Sequence, residues 1–250
     1  MVNVKSLSLR DFHWIGTPSQ TRICDAICST VSLISLTALV IQNCDVSTHE
    51  RQADHKFQLR LILQHHPLLE RLNLWSGHWD LGQWILPTDV PHLTHLTSRP
   101  REATVLVPGR PVTSLSLTHV LTMPNQDFWE ALALSTGPIH TLKMDIYDPE
   151  ALLSFLQSLS VHLPDVRKLI LDGPDYEDLP TLSQGFPSFR SLRTIHIPLI
   201  DCLECTLHDL GSDSQRDDQR ADFTARIRLK CPRFERLDYG LFSLCGCGIL

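Results

Sequence analysis

HLPDVRKLILDG, residues 162–173, contains the pattern that decides the fold: Val166, Leu169 and Leu171 follow the rule apolar-x-x-apolar-x-apolar. The same rule recurs along the whole chain, and most copies follow a stretch with helical character. The nine copies are Val4/Leu7/Leu9, Leu36/Leu39/Ile41, Leu69/Leu72/Leu74, Leu93/Leu96/Ser98, Val112/Leu115/Leu117, Ile139/Leu142/Met144, Val166/Leu169/Leu171, Leu192/Ile195/Ile197 and Phe234/Leu237/Tyr239. We call these positions the framework residues. Such recurrence is the signature of a repeat protein, in which each unit buries its apolar face against its neighbours.

The spacing of the copies and the residues between them predict the architecture. The middle framework residues are 19 to 42 residues apart, and most gaps lie near the roughly 20–29 residues of a leucine-rich repeat. Alternation at the last two positions predicts a short strand. Asp148-Pro149-Glu150 is a typical helix start, with an N-cap Asp and Pro at the first helical position. Strands that alternate with helices imply a parallel sheet with helices outside it.

We therefore predict an α/β fold, an irregular leucine-rich-repeat solenoid with parallel strands on the concave side and helices outside. One domain of about nine repeats covers residues 1–250. A polar insertion around 211–219, GSDSQRDDQ, separates the last two repeats, and its composition predicts a mobile loop.

Composition and charge exclude several classes of partner. Apolar residues make up 42% of the chain and charged residues 20%, which is typical of soluble proteins. The net charge of −6 argues against nucleic acid, which is bound by clustered Lys and Arg. The longest apolar run, Val31 to Ile41, is shorter than the roughly 20 residues of a membrane span. With no apolar leader after Met1, we read the eight cysteines as reduced thiols and expect a cytoplasmic or nuclear protein.

Motifs of catalysis are missing from the sequence. It contains no Gly-x-Ser-x-Gly elbow, no glycine-rich phosphate loop and no His-Glu-x-x-His pair. Cys202-x-x-Cys205 with Cys245-x-Cys247 is a weak zinc pattern, and we favour free thiols over a metal site. We expect no enzyme and no cofactor. The last four residues, Cys247 to Leu250, formally fit a prenylation box, which makes Cys247 a candidate lipidation site.

Candidate partner-binding residues lie beside the strand leucines and in the loops that follow the strands. Aromatic and arginine side chains are the usual anchors of interfaces. Acidic residues follow the later strands, so we expect a face that is basic in the early repeats and acidic in the later ones. The alternative is that the aromatic rings cover loop cores and the acids are merely solvated. The candidates are Arg10, Trp14, Arg71, Trp75, Trp79, Arg99, Asp145, Asp172, Asp175 and Tyr176.

The phrases NVKSLSLRDF, HHPLLERLNLW and HLPDVRKLILDG resemble the leucine-rich-repeat region of fungal F-box-like proteins, and the resemblance covers nearly the whole chain. It implies a non-enzymatic module that recognises protein substrates for a ubiquitin ligase. The family's Asn or Cys after the last strand leucine appears only as Cys44. The first repeat already begins at Val4, so we expect either a truncated F-box protein or a free-standing repeat domain. A ubiquitin-ligase adaptor is implied only if an F-box lies upstream. The alternative is a stand-alone scaffold, lipid-anchored through Cys247, with no ligase link.

Overall fold

The computed structural model describes residues 5–10, 36–42, 63–75, 85–120, 124–146, 148–174, 178–201 and 213–243. These ranges contain nine strands, and each strand includes the last two framework residues of one copy of the pattern. The strands are β1 Ser6–Arg10, β2 Ala38–Gln42, β3 Arg71–Trp75, β4 His95–Ser98, β5 Ser114–Leu117, β6 Thr141–Asp145, β7 Lys168–Asp172, β8 Thr194–Asp201 and β9 Arg236–Ser243.

Helices alternate with the later strands. In the described ranges they are α1 Pro100–Leu106, α2 Gln126–Ala133, α3 Pro149–His162, α4 Leu179–Gly185 and α5 Asp213–Lys230. The predicted α/β class with parallel strands is confirmed. All the described helices are too short or too polar to serve as a membrane span.

The chain divides into two compact units. Unit 1 comprises Met1–Thr118 and Asn125–Ile139; unit 2 comprises His119–Pro124 and His140–Leu250. The prediction of one domain over residues 1–250 stays a prediction.

Unit 1 contains β1 to β5, which pair in parallel and in chain order, and α1 packs against α2. The register places the middle framework residues side by side. Leu39 is opposite Leu7 and Leu72, and Leu96 is opposite Leu72 and Leu115. The sequence pattern therefore sets the strand register directly.

Unit 2 contains β6 to β9, again parallel and in chain order, and α4 contacts α3 and α5. Leu169 lies between Leu142 and Ile195 in the register, and Ile195 is opposite Leu237. Leu142, Leu169 and Ile195 are fully buried. Removing these side chains from water is the main stabilising term of such a repeat.

Ser98 is the polar exception among the framework residues, and it too is fully buried. Its hydroxyl donates to the backbone oxygen of Arg99 at 3.1 Å. Because a buried polar group with a hydrogen-bond partner avoids most of the desolvation penalty, the core tolerates serine here.

A backbone carbonyl of the preceding repeat accepts two N–H groups at the start of most strands. The oxygen of Glu70, for example, accepts from Thr94 N at 2.9 Å and His95 N at 3.0 Å. The Thr94 hydroxyl donates to the same oxygen at 3.1 Å. Thr37 and Thr113 repeat this arrangement on β2 and β5, at 3.2 and 3.4 Å. We call the residue just before each strand the strand-start position.

The polar insertion corrects one expectation. Residues 213–219 form the first turns of α5, so the mobile loop predicted over 211–219 is wrong for this part. Phe223 and Ile227 of α5 are fully buried and anchor the helix. Charged pairs one turn apart, such as Arg226 with Asp222 at 2.8 Å, favour helix among the polar residues.

Arg110 is the largest fully buried side chain in the described residues. It follows Gly109, whose φ of +73° is a left-handed conformation that glycine adopts without strain. One guanidinium nitrogen, Nη1, donates to the carbonyls of Val105, Leu106 and Pro108 at 3.1, 3.1 and 3.2 Å. The other, Nη2, donates to the carbonyl of Leu86 at 2.6 Å. The side chain thus satisfies the last carbonyls of α1, which have no partner within the helix.

Candidate functional site

The side of each strand opposite the core presents residues that the framework does not constrain. Side chains alternate along a strand, so the residue between two framework residues points away from the core. In unit 2 these residues form a continuous row, in register and half-buried; we call it the outward row. Its members are Lys143, Ile170, His196 and Asp238. Four strands at the usual separation make the row about 14 Å long.

In unit 1 the same row is uncharged. Its members are Ser8, Val40, Asn73, Thr97 and Ser116. Among the described residues, the charged and titratable members of this row therefore all belong to unit 2.

The last residues of β6 and β7 bring together two predicted candidates, Asp145 and Asp172, which are partners in the register. Lys143 on β6 forms an ion pair with Asp172, so that carboxylate already has a cation beside it. The Oδ1 oxygen of Asp145 is buried and accepts no hydrogen bond from the residues that the structure describes. A buried acceptor without a donor is costly, so a donor from a bound partner would be stabilising at this point.

Asp148 has a structural role. Its Oδ1 accepts from the backbone N–H of Glu150 at 3.1 Å, and its carbonyl accepts from Leu152 N at 2.9 Å. The residue therefore caps α3 as the sequence predicted.

Replacing Asp148 with Ala is expected to lower the free energy of unfolding by about 1 kcal/mol, because the first turn of α3 loses its side-chain acceptor. Asp148→Asn keeps an oxygen in place and should lose clearly less. Urea denaturation of the two variants measures the difference. Equal losses would show that the cap contributes nothing.

Two predicted arginines of unit 1 have different surroundings. Arg71 begins β3 and is exposed, beside His95 in the register. Burial, and then the Arg71 charge, lower the pKa of His95, while Glu70 acts in the opposite direction. The imidazole is therefore neutral at pH 7. Arg99 is half-buried at the N-cap of α1, where its carbonyl accepts from Ala103 N at 3.1 Å.

For the remaining predicted residues, the structure describes only the backbone or nothing. Arg10 and Trp75 are the last residues of β1 and β3, but their side chains lie outside the described part. The loop and tail candidates lie outside the described residues altogether; they are Trp14, Trp79, Asp175, Tyr176 and Cys247.

A set of cations lies at the beginnings of β7, β8 and β9, and none of them is among the candidate residues predicted from the sequence. Arg167, Lys168, Arg193 and Arg236 are all exposed. The later repeats are thus acidic at the strand ends and basic at the strand starts, which corrects the expectation of an acidic face there. The signal was present in the residues between the first two framework positions, as in Val166-Arg167-Lys168-Leu169.

The described ranges offer little support for a metal site or a reactive thiol. They contain no group of three or more His, Cys, Asp or Glu residues that could hold a metal ion. Cys231 is a buried free thiol, and burial raises its pKa, so it is protonated at neutral pH. Four other cysteines, Cys202, Cys205, Cys245 and Cys247, formed the weak zinc pattern and lie outside the described residues.

No model of a known protein family matches the sequence, and no curated protein matches it either. Function must therefore be inferred from the residues and their geometry.

Proposed function

We propose that this chain is a non-enzymatic protein-interaction module that binds a partner protein through the outward side of its strands, in the manner of a leucine-rich-repeat domain. The observation that carries the proposal is the contrast between the two sides of each strand. Facing the core, the middle framework residues are uniformly aliphatic. Facing outward, Lys143, Ile170 and His196 differ completely in chemistry although the same backbone positions hold them.

A surface of this kind suits a protein better than a small molecule. Small ligands bind in concave pockets that enclose most of their surface, whereas the outward row is a line of side chains on adjacent strands. The Oδ1 of Asp145, to which no described residue donates, lies beside the Lys143–Asp172 ion pair and offers a polar contact that a partner can complete. A protein partner brings N–H donors and cationic side chains to such a point.

The resemblance to fungal F-box-like repeats supports a more specific role, the recognition of substrates for a ubiquitin ligase in the cytoplasm or nucleus. That role needs an F-box encoded upstream of Val4, which contacts the ligase adaptor. Mapping the 5′ end of the native transcript tests this: an open frame extending into an F-box supports it. Transcription that starts just before Met1 favours the stand-alone scaffold, with or without a lipid at Cys247.

A photo-crosslinking experiment tests the interaction face itself. A photoreactive amino acid at Ile170 or at His196 should form an adduct with the same partner protein in cells that naturally express the chain. Gln157 is exposed on α3, the helical side of unit 2, and serves as the matched control position. The proposal requires adducts from the two outward positions, no comparable adduct from Gln157, and binding of the purified partner in vitro. Absence of adducts, or equal adducts from all three positions, would contradict it.

A further inference from the structure

Four exposed cations occupy neighbouring points where the strands of unit 2 begin. Arg193 N donates to the backbone oxygen of Arg167 at 2.8 Å, so these two strand-start positions are adjacent. Lys168 and Arg236 are both opposite Thr194 in the register, one residue further along. We call this set the basic strip: Arg167, Lys168, Arg193 and Arg236.

The fold does not require arginine at these places. In unit 1 the strand-start positions of β2, β4 and β5 hold threonine, whose hydroxyl adds a third hydrogen bond to the carbonyl of the preceding repeat. Arg167 and Arg193 hold the same position, with the same pair of backbone bonds, to the oxygens of His140 and Arg167. Their side chains extend into solvent and leave the third bond unmade. Glu70 in unit 1 and Glu235 in unit 2 also hold this position with the same pair of backbone bonds. The fold therefore accepts different residues here, and the exposed charges of Arg167 and Arg193 are open to a role outside the fold.

The acids near the basic strip neutralise only part of it. Glu235 pairs with Arg193 at 3.4 Å, and Asp238 pairs with Arg236. Within the described part of the chain, Arg167 and Lys168 have no ion-pair partner. Both are exposed. The strip therefore has positive charge at the start of β7 that the described acids do not neutralise.

We propose that the basic strip binds a short, extended acidic segment of the partner protein; this inference rests on the proposed function and names its partner chemistry. Carboxylates of such a segment would pair with Arg167 and Lys168 and compete with Glu235 for Arg193. Arginine suits this task because its guanidinium binds carboxylates through two parallel hydrogen bonds.

The surrounding charges favour an acidic protein segment over nucleic acid. The chain has a net charge of −6, and Asp145 and Asp172 stand at the other end of β6 and β7. A five-residue strand places these carboxylates about 13 Å from the strip, near enough to repel a long polyanion at low salt. A segment with few acids, and with basic or neutral residues beyond them, avoids that repulsion.

The experiment measures binding of a fluorescent peptide of alternating Glu and Ser by anisotropy at low salt. A length of about ten residues suffices to cross the strip in extended form. The test variant is Arg167→Thr with Arg193→Thr, because threonine is the residue that unit 1 accommodates at this position. The control, Arg101→Gln with Arg228→Gln, removes the same charge from exposed positions on α1 and α5.

We expect the threonine variant to bind the peptide about tenfold more weakly, as two exposed charge pairs warrant. Its thermal unfolding midpoint should equal or exceed that of the unaltered chain, because the hydroxyls restore the third hydrogen bond. The control should stay within about twofold in affinity. Rising salt should weaken binding to the unaltered chain and have less effect on the threonine variant.

Several results would overturn the inference. They are an unaltered chain that does not bind the peptide, equal weakening in both double variants, and a single-stranded RNA of the same length that displaces the peptide and binds more tightly. Self-association that the threonine substitutions abolish would also overturn it, because the occupant would then be a second copy of the chain.

Crosslinking from Ile170 and His196 separates this inference from the proposed function. If the adducts persist while peptide binding fails, only the acidic segment is ruled out. Peptide binding without adducts removes the proposed outward interface.

Discussion

Replacing Arg110 with Met is expected to lower the free energy of unfolding by about 3 kcal/mol or more, and the thermal midpoint by roughly 10 °C. The side chain is fully buried, and its two terminal nitrogens donate to four backbone carbonyls. Methionine fills much of the volume but donates nothing. Four backbone carbonyls, three of them in or just after the last turn of α1, would then lose a charged donor. The bond to Leu106 is buried and the other three are part-buried, so water could replace the lost donor only in part.

The charge of Arg110 makes this contribution independent of pH in the ordinary range. Burial lowers its pKa to about 10, and the Asp89 carboxylate opposes that shift. Since about 10 still lies well above neutrality, the guanidinium is protonated in both the folded and the unfolded chain between pH 5 and 8. Only as the pH rises through the folded-state pKa would loss of the proton relieve the penalty of burial.

Calorimetry of Arg110→Met beside Arg190→Met tests the prediction, since Arg190 is an exposed arginine of the same chain. The exposed substitution should change stability by no more than about 0.5 kcal/mol. Equal midpoints for the two variants would mean that the buried hydrogen bonds of Arg110 contribute little beyond its packing.

Leu169→Ala is expected to cost about 2–5 kcal/mol, whereas Ile170→Ala, one residue later, should cost less than about 1 kcal/mol. Leu169 is fully buried between Leu142 and Ile195, so its truncation leaves a cavity among residues that are held by their own strands. Ile170 belongs to the outward row and is only half-buried. The pair therefore tests which side of β7 faces the core.

Urea unfolding of both variants compares their free energies of unfolding. The two substitutions lie on the same strand and remove side chains of similar volume. A large loss for Leu169→Ala with a small one for Ile170→Ala supports the alternation on which the outward row depends. Equal losses would show that both sides of β7 are packed, and the outward row would then not be a free surface.

The recurring framework pattern was sufficient to predict much of the fold. It predicted the α/β class, the position of every described strand and the middle residues that align in the register, such as Leu142, Leu169 and Ile195. The helix start at Asp148 was also predicted correctly, because N-capping depends on residues adjacent in the chain. These features share one cause. Strand alternation and helix capping both depend on residues that are close together in the chain, so a local pattern is enough to predict them.

The extent of α5 was predicted less well. Its first turns are polar and read as a loop, yet Phe223 and Ile227 pack into unit 2 and extend the helix towards its N-terminus. Packing against other elements overrode local composition here, as it commonly does for helices.

The pattern predicted that Leu169 would be buried and that its neighbours Lys168 and Ile170 would be accessible, because alternation along a strand requires it. It could not reveal that Arg110 would cap α1 and donate to the carbonyl of Leu86, or that Lys143 would form an ion pair with Asp172. Nor could it show that the strand-start cations of three repeats would form one strip. Except for the cap on α1, these contacts join residues 24 or more positions apart, and their energies depend on distances and burial that exist only once the strands have paired.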